Sequence, residues 1–135
     1  VPIDGVGIQA HAMLGTSSPW FPSTTASLKR YIDALGRLGV KVEITELDVR
    51  LPLLADQPDP LAAQAAVFRR VASACAQARA CTGLTVWGQR DSDSWLDSYS
   101  LTSATEPNSP LLLDREGKRK LAYQAVAAGL LERRR

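Results

Sequence analysis

The sequence predicts an α/β fold built on a parallel sheet. Three observations carry that prediction. Residues 3–11, 41–48 and 82–87 read as strands, and apolar residues recur at helical spacing after each of them. The order strand, loop, helix occurs three times. Connections leaving helices are short and those leaving strands are long, which suits right-handed crossovers and gathers the long loops at the C-terminal ends of the strands. In α/β barrels that is the end that carries the chemistry. Three units cannot close an eight-fold barrel, which takes about 250 residues. Periodicity alone leaves two architectures open: a small three-unit sandwich, or a piece of a larger barrel.

The elements follow in order. The first strand places Val6 and Ile8 on one parity and Gly5, Gly7, Gln9 and His11 on the other. Residues 14–22 form a loop rich in Gly, Ser and Pro, containing Trp20, to which no role is assigned. Ser23 or Thr24 caps a helix marked by Leu28, Tyr31, Ile32, Leu35 and Leu38, and Gly39 ends it. In the second strand Val42, Ile44, Glu46 and Asp48 share one parity, and Glu43 lies on the other. Asp59 caps and Pro60 opens the next helix, whose expected buried stripe is Leu61, Ala65, Phe68, Ala72 and Cys75. The third strand, 82–87, feeds a long Ser- and Asp-rich loop over 88–110, and loops of that length in compact domains are usually functional. A short apolar run at 111–113 precedes a last helix over 118–130, expected to bury Leu121, Val126 and Leu130.

At 135 residues the chain amounts to one domain at most. Hydrophobic residues make up 45% and charged residues 22%, which excludes wholesale disorder. A formal charge of +2 is too balanced to imply a nucleic-acid or membrane partner, and no stretch approaches the ~18–20 apolar residues of a membrane span. The basic run at 133–135 reads as a solvated tail. The chain begins with Val1 and no signal-peptide pattern precedes the first strand, so the natural start is expected to lie upstream.

Cys75 and Cys81 are the only cysteines, too few for an all-cysteine zinc site. Six residues apart in an unbroken helix, their Cα atoms would be roughly 10 Å apart, and a disulfide tolerates about 7 Å. A bridge therefore requires the helix to end between them; the alternative is two free thiols packed apolarly.

Polar residues interrupt each strand near its C-terminal end: Gln9 and His11, then Glu46 and Asp48, then Trp87. Spacing by two puts each pair on one face. A histidine, two carboxylates and a tryptophan converging there suit acid–base or nucleophilic chemistry, although each alone could be a cap or a buried hydrogen-bonding residue. His11 is the only histidine, so it forms no multi-histidine metal site, and no cofactor is called for.

Ile3-Asp4-Gly5-Val6-Gly7-Ile8-Gln9-Ala10-His11 resembles the sixth strand of glycoside hydrolase family 10 xylanases. Val42-Glu43-Ile44-Thr45-Glu46-Leu47-Asp48 resembles the seventh, with the nucleophile motif. Val86-Trp87-Gly88 with Asp91 and Ser94-Trp95 resembles the eighth, and Pro110-Leu111-Leu112-Leu113-Asp114 with Ala122-Tyr123 resembles the end of the domain. The chain departs from the usual pattern at Ile8, Ala10, Gln89, Asp93 and Leu121. Cys75 and Cys81 sit where many members have a short-range disulfide.

The resemblance implies an α/β chain forming the C-terminal three β/α units, strands 6–8, of a TIM (β/α)₈ barrel. Residues 1–135 would be a partial catalytic domain of a secreted, retaining endo-1,4-β-xylanase acting on xylan or xylo-oligosaccharides. Glu46 would be the nucleophile, braced by His11, with Asp48 orienting His11 from the other side. Gln9 would reach toward the acid/base carboxylate, Trp87 would floor the sugar at the cleavage point, and Trp95 would cover the adjoining face. The family's acid/base glutamate follows an Asn on the fourth strand. No Asn-Glu pair occurs here, and Glu106 lies in a different context. The N-terminal part of the barrel is thus expected to be missing, and the chain alone to be marginally stable and inactive on xylan. A related retaining β-glycanase and a non-catalytic xylan-binding module are the competing readings; the joint presence of Glu46, His11 and Asp48 argues against the module.

Overall fold

A computed structural model describes residues 1–12, 24–98 and 107–132. The loop expected at 14–22 with Trp20, the alternative cap Ser23, Glu106 and the basic tail at 133–135 lie outside the described residues. The elements are β1 (Gly5–Ile8), β2 (His11–Ala12), α1 (Thr25–Arg37), β3 (Lys41–Val49), α2 (Pro60–Gln77), β4 (Cys81–Val86) and α3 (Leu121–Leu131). All described strand pairings are parallel, with β3 central: β1 and β2 flank it on one side and β4 on the other.

The helix starts follow local chemistry. Thr24 Oγ1 accepts the Ser27 N–H at 3.0 Å while Ser27 Oγ accepts the Thr24 N–H at 3.1 Å, a reciprocal capping box. Asp59 accepts from the Ala62 N–H at 3.0 Å ahead of Pro60. Gly39 leaves α1 at a φ of +86°, in the left-handed region.

The buried stripes differ from the expected ones. On α1, Leu28 and Ile32 are buried but Tyr31 and Leu38 are exposed. On α2 the stripe is Gln64, Val67, Phe68, Val71, Ala72 and Cys75; Leu61 is exposed and Ala65 half-buried. On α3 the expected Leu121 and Leu130 are exposed, while Ala122, Val126 and Gly129 are buried. The cause is the close approach of α3 to α2: a Cβ at Gly129 would lie 2.8 Å from Ala72 Cβ and from the Arg69 carbonyl oxygen. Small residues fill that contact, so leucines are turned outward. α3 also starts three residues later than expected, because Arg119 bridges back to Leu113.

The sheet differs in a way that bears on function. The single first strand is divided at Gln9 and Ala10. Ile8 pairs with Ile44, but His11 pairs with Asp48, so β3 holds one residue more over that stretch. On the other side Ile44 pairs with Leu84 and Leu47 with Val86, again leaving one extra residue in β3. Both neighbours thus register a bulge between Ile44 and Leu47. It switches parity: Val42 and Ile44, then Leu47 and Val49, enter the core cluster with Ile32, Val67, Phe68 and Val71. Glu43, Thr45, Glu46 and Asp48 lie on the other face. The expectation that Val42, Ile44, Glu46 and Asp48 share a face is corrected accordingly, as is the placing of Glu43 opposite Glu46.

The structure joins Cys75 to Cys81, with Cα atoms 5.2 Å apart. α2 ends at Gln77, between them, as the bridge requires.

Candidate active site

The site is assembled at the C-terminal end of β3. β2 sets His11 beside Asp48 in register, and the bulge brings Glu46 to the same face. His11 Nδ1 lies 2.8 Å from Asp48 Oδ2, and His11 Nε2 lies 3.1 Å from Glu46 Oε2. Each ring nitrogen of His11 thus faces one carboxylate oxygen. Gln9 Nε2 donates to Glu46 Oε1 at 3.0 Å, so both oxygens of Glu46 are held. Exposure grades along this chain: the Asp48 side chain is 0% exposed, His11 12% and Glu46 19%. The carboxylate that meets solvent is the one at the end of the series.

Asp48 has a second donor. Trp95 Nε1 donates to its Oδ2 at 3.0 Å, and the Trp95 ring lies 5.1 Å from the His11 ring, tilted by 59°. Asp48 Oδ1 is buried and makes no hydrogen bond among the described residues. Burial pushes the Asp48 carboxyl above its ordinary value, against the lowering pull of the Trp95 N–H and of His11.

Trp87 follows the last residue of β4, and its N–H donates to the Leu47 carbonyl at 3.0 Å. Val86 packs toward the helices, so Trp87 points to the open face, where it is 44% exposed. Gly88, at a φ of +140°, turns the chain where a Cβ would meet Leu111 Cδ1 at 2.6 Å.

All six residues expected at the site stand at this end of the sheet. Two placements refine the expectation. Gln9 bonds to Glu46, and Trp95 is tied to Asp48. Residues that hold the surrounding loops were missed. Gln64 donates to the carbonyls of Val49 and Ser109 at 2.8 and 2.6 Å, and Asn108 joins Arg50 to Leu96 and Asp97. Gln64 had a readable signal, being a long polar side chain at helical spacing with the buried Val67, Phe68 and Val71 of α2.

The described residues hold no group of three or more His, Cys, Asp or Glu that could bind a metal ion. Among them, no helix is long and apolar enough to cross a membrane.

Residues 1–129 match the family described as Glycosyl hydrolase family 10. The chain belongs to that family. Endo-1,4-beta-xylanase 2 of Aureobasidium pullulans is 38% identical over 133 residues, covering 93% of this chain and 34% of its own length. Native xylanase 10B from Thermotoga maritima superposes with a TM-score of 0.78 at 28% identity, over 98% of this chain and 38% of that one. A Xylanase10C variant from Cellvibrio japonicus in complex with xylopentaose superposes with a TM-score of 0.77 at 29% identity, over 98% of this chain and 28% of that one. The chain spans about a third of the length of the curated family-10 relatives it matches, and covers part of a TIM-barrel xylanase.

Proposed function

We propose that this chain carries the nucleophile half of a retaining endo-1,4-β-xylanase site, with Glu46 as nucleophile. One observation carries the reading: Glu46, His11 and Asp48 form a continuous hydrogen-bonded series that ends in a partly exposed carboxylate. In the reaction one Glu46 oxygen attacks the anomeric carbon as the bond to the leaving sugar oxygen breaks, giving a glycosyl ester that water then cleaves. Gln9 and His11 hold the Glu46 carboxylate in place for attack and for its departure. Asp48 fixes the imidazole between the two carboxylates. Trp87 offers a flat apolar surface to a sugar ring, and Trp95 covers the adjoining side while holding Asp48.

On this reading residues 1–135 supply units six to eight of the barrel and form a partial catalytic domain. The proton donor for the leaving oxygen comes from the other units. Alone, the chain turns over xylan negligibly, because general acid catalysis is worth roughly 10²–10⁴-fold and the sheet is open. The substrate is xylan or a xylo-oligosaccharide, as the xylopentaose complex of the Cellvibrio japonicus relative supports. The setting is extracellular, which the Cys75–Cys81 bridge supports.

The test completes the chain with the N-terminal part of a family-10 barrel and adds an activated 2-fluoro xylobioside, whose leaving group needs no acid. Peptide mass spectrometry is expected to find the sugar on Glu46. Labelling at another residue, or none on a folded, completed barrel, overturns the assignment.

A further inference from the structure

We propose that the buried pair of Asp91 and Lys120 is a positioning device for the active site, acting through Trp95 on Asp48. The inference rests on Glu46, His11 and Asp48 being the working site, and it concerns what holds that site in place. Asp48 takes its hydrogen bonds from His11 and from Trp95, and only the first belongs to the sheet. The second comes from a loop with two short 3₁₀ turns, Asp91–Asp93 and Trp95–Asp97. Asp48 is therefore as well placed as that loop is.

The loop is gripped on both sides of Trp95 by the segment before α3. After Trp95, Asn108 Nδ2 donates to the Leu96 carbonyl at 3.2 Å and to Asp97 Oδ1 at 3.0 Å. Before it, Asp91 Oδ1 accepts the Leu111 N–H at 2.8 Å, and the Asp91 N–H donates to the Leu113 carbonyl at 3.0 Å. Lys120 closes the arrangement: its Nζ lies 3.1 Å from Asp91 Oδ2 and 2.7 Å from the Ser109 carbonyl. The Lys120 side chain is 9% exposed and that of Asp91 3%. Burial pushes the Asp91 carboxyl up and the Lys120 ammonium down, so each works against its own charge there. Filling the same space with apolar side chains is often at least as stabilising as a buried ion pair. What the pair supplies beyond filling is direction: the ammonium fixes Asp91, and Asp91 fixes the start of the loop that carries Trp95.

The test uses the barrel completed with the N-terminal part of a family-10 domain, with residues 1–135 alone labelled with ¹⁵N and no substrate added. Exchange of the Trp95 indole N–H with solvent is followed by NMR, the signal being assigned by Trp95→Phe. Backbone amides of β3, such as that of Val42, report general opening. In the unsubstituted chain the Trp95 indole is expected to be protected. Lys120→Met is expected to speed its exchange by about tenfold or more relative to the β3 amides, the size of one lost charge-assisted hydrogen bond. Lys120→Arg, which keeps the charge, is expected to stay within about threefold. The His11 ring signals, from the only histidine in the chain, should shift in Lys120→Met and return toward their positions in Lys120→Arg. An unprotected Trp95 indole in the unsubstituted chain overturns the proposal. So does exchange in Lys120→Met that rises only in step with the β3 amides. Neither result touches the labelling of Glu46, and failure of that labelling leaves this measurement standing.

Discussion

The two faces of β3 divide the work of the molecule. Toward the helices stand Val42, Ile44, Leu47 and Val49, all buried in one apolar cluster. Away from them stand Glu43, Thr45, Glu46 and Asp48, and Thr45 lies where a Cβ on Gly7 would be 2.9 Å from its methyl group. The first face holds the sheet to α1 and α2. The second carries the groups that do chemistry. What separates them is one extra residue: without the bulge, Glu46 and Asp48 would share a parity with Val42 and Ile44 and point beneath the helices. Stability and function can then be damaged separately, and substitutions on each face test that division.

The largest effect is expected at Glu46. In the completed barrel, Glu46→Ala should lower kcat for xylan hydrolysis by on the order of 10⁴–10⁶-fold, the scale for losing a covalent nucleophile. The urea midpoint of the same variant should stay close to that of the parent, because the side chain sits on the open face. Retention of more than about a hundredth of the activity, far above that scale, would break the assignment of chemistry to this face.

Next comes a neighbouring pair, read by urea denaturation. Ile44 is wholly buried against the helices and Glu43 is exposed on the other side. Ile44→Ala should cost about 2–5 kcal/mol of unfolding free energy. Glu43→Ala should stay within about 0.5 kcal/mol. Similar costs at adjacent positions would mean that both faces support the fold, and the contrast drawn above would fail.

Much of this was legible in the residues. Strand–helix alternation gave the parallel sheet, Thr24 and Asp59 announced their helices, and spacing by two paired Gln9 with His11 and Glu46 with Asp48. The bulge was harder to see, because Val42, Ile44, Glu46 and Asp48 form an unbroken parity that mimics a regular strand. Its trace was present in Leu47 and Val49, apolar residues on the wrong parity for that strand. Helical stripes misled where size and burial part company. Leu61, Leu121 and Leu130 promised cores, but α3 approaches α2 too closely for leucine, and Gly129 and Ala72 occupy the contact. The Asp91–Lys120 pair joins residues 29 apart in a polar loop and at the start of a helix, and spacing carries no sign of such a contact.

The smallest effect sharpens the comparison at its boundary, since Asp48 belongs to the chemical face yet is as buried as the core. Burial holds its carboxyl above the ordinary value of 3.8, so the folded chain binds a proton there more readily than the unfolded chain does. Stability from this group is therefore greatest at low pH and falls as pH rises from the unfolded carboxyl range through the raised folded value. Above that window the cost of burying the charge is carried in full, offset in part by Trp95 and His11 and increased by Glu46. Asp48→Asn removes the titration. Its Tm relative to the parent should be most favourable near neutral pH, by about 2–4 °C, and the gap should close as pH falls through the window. Thermal melts across that range decide the sign. A parent that instead gains on Asp48→Asn as pH rises would show that His11 and Trp95 outweigh burial, and that Asp48 stabilises the fold as well as orienting His11.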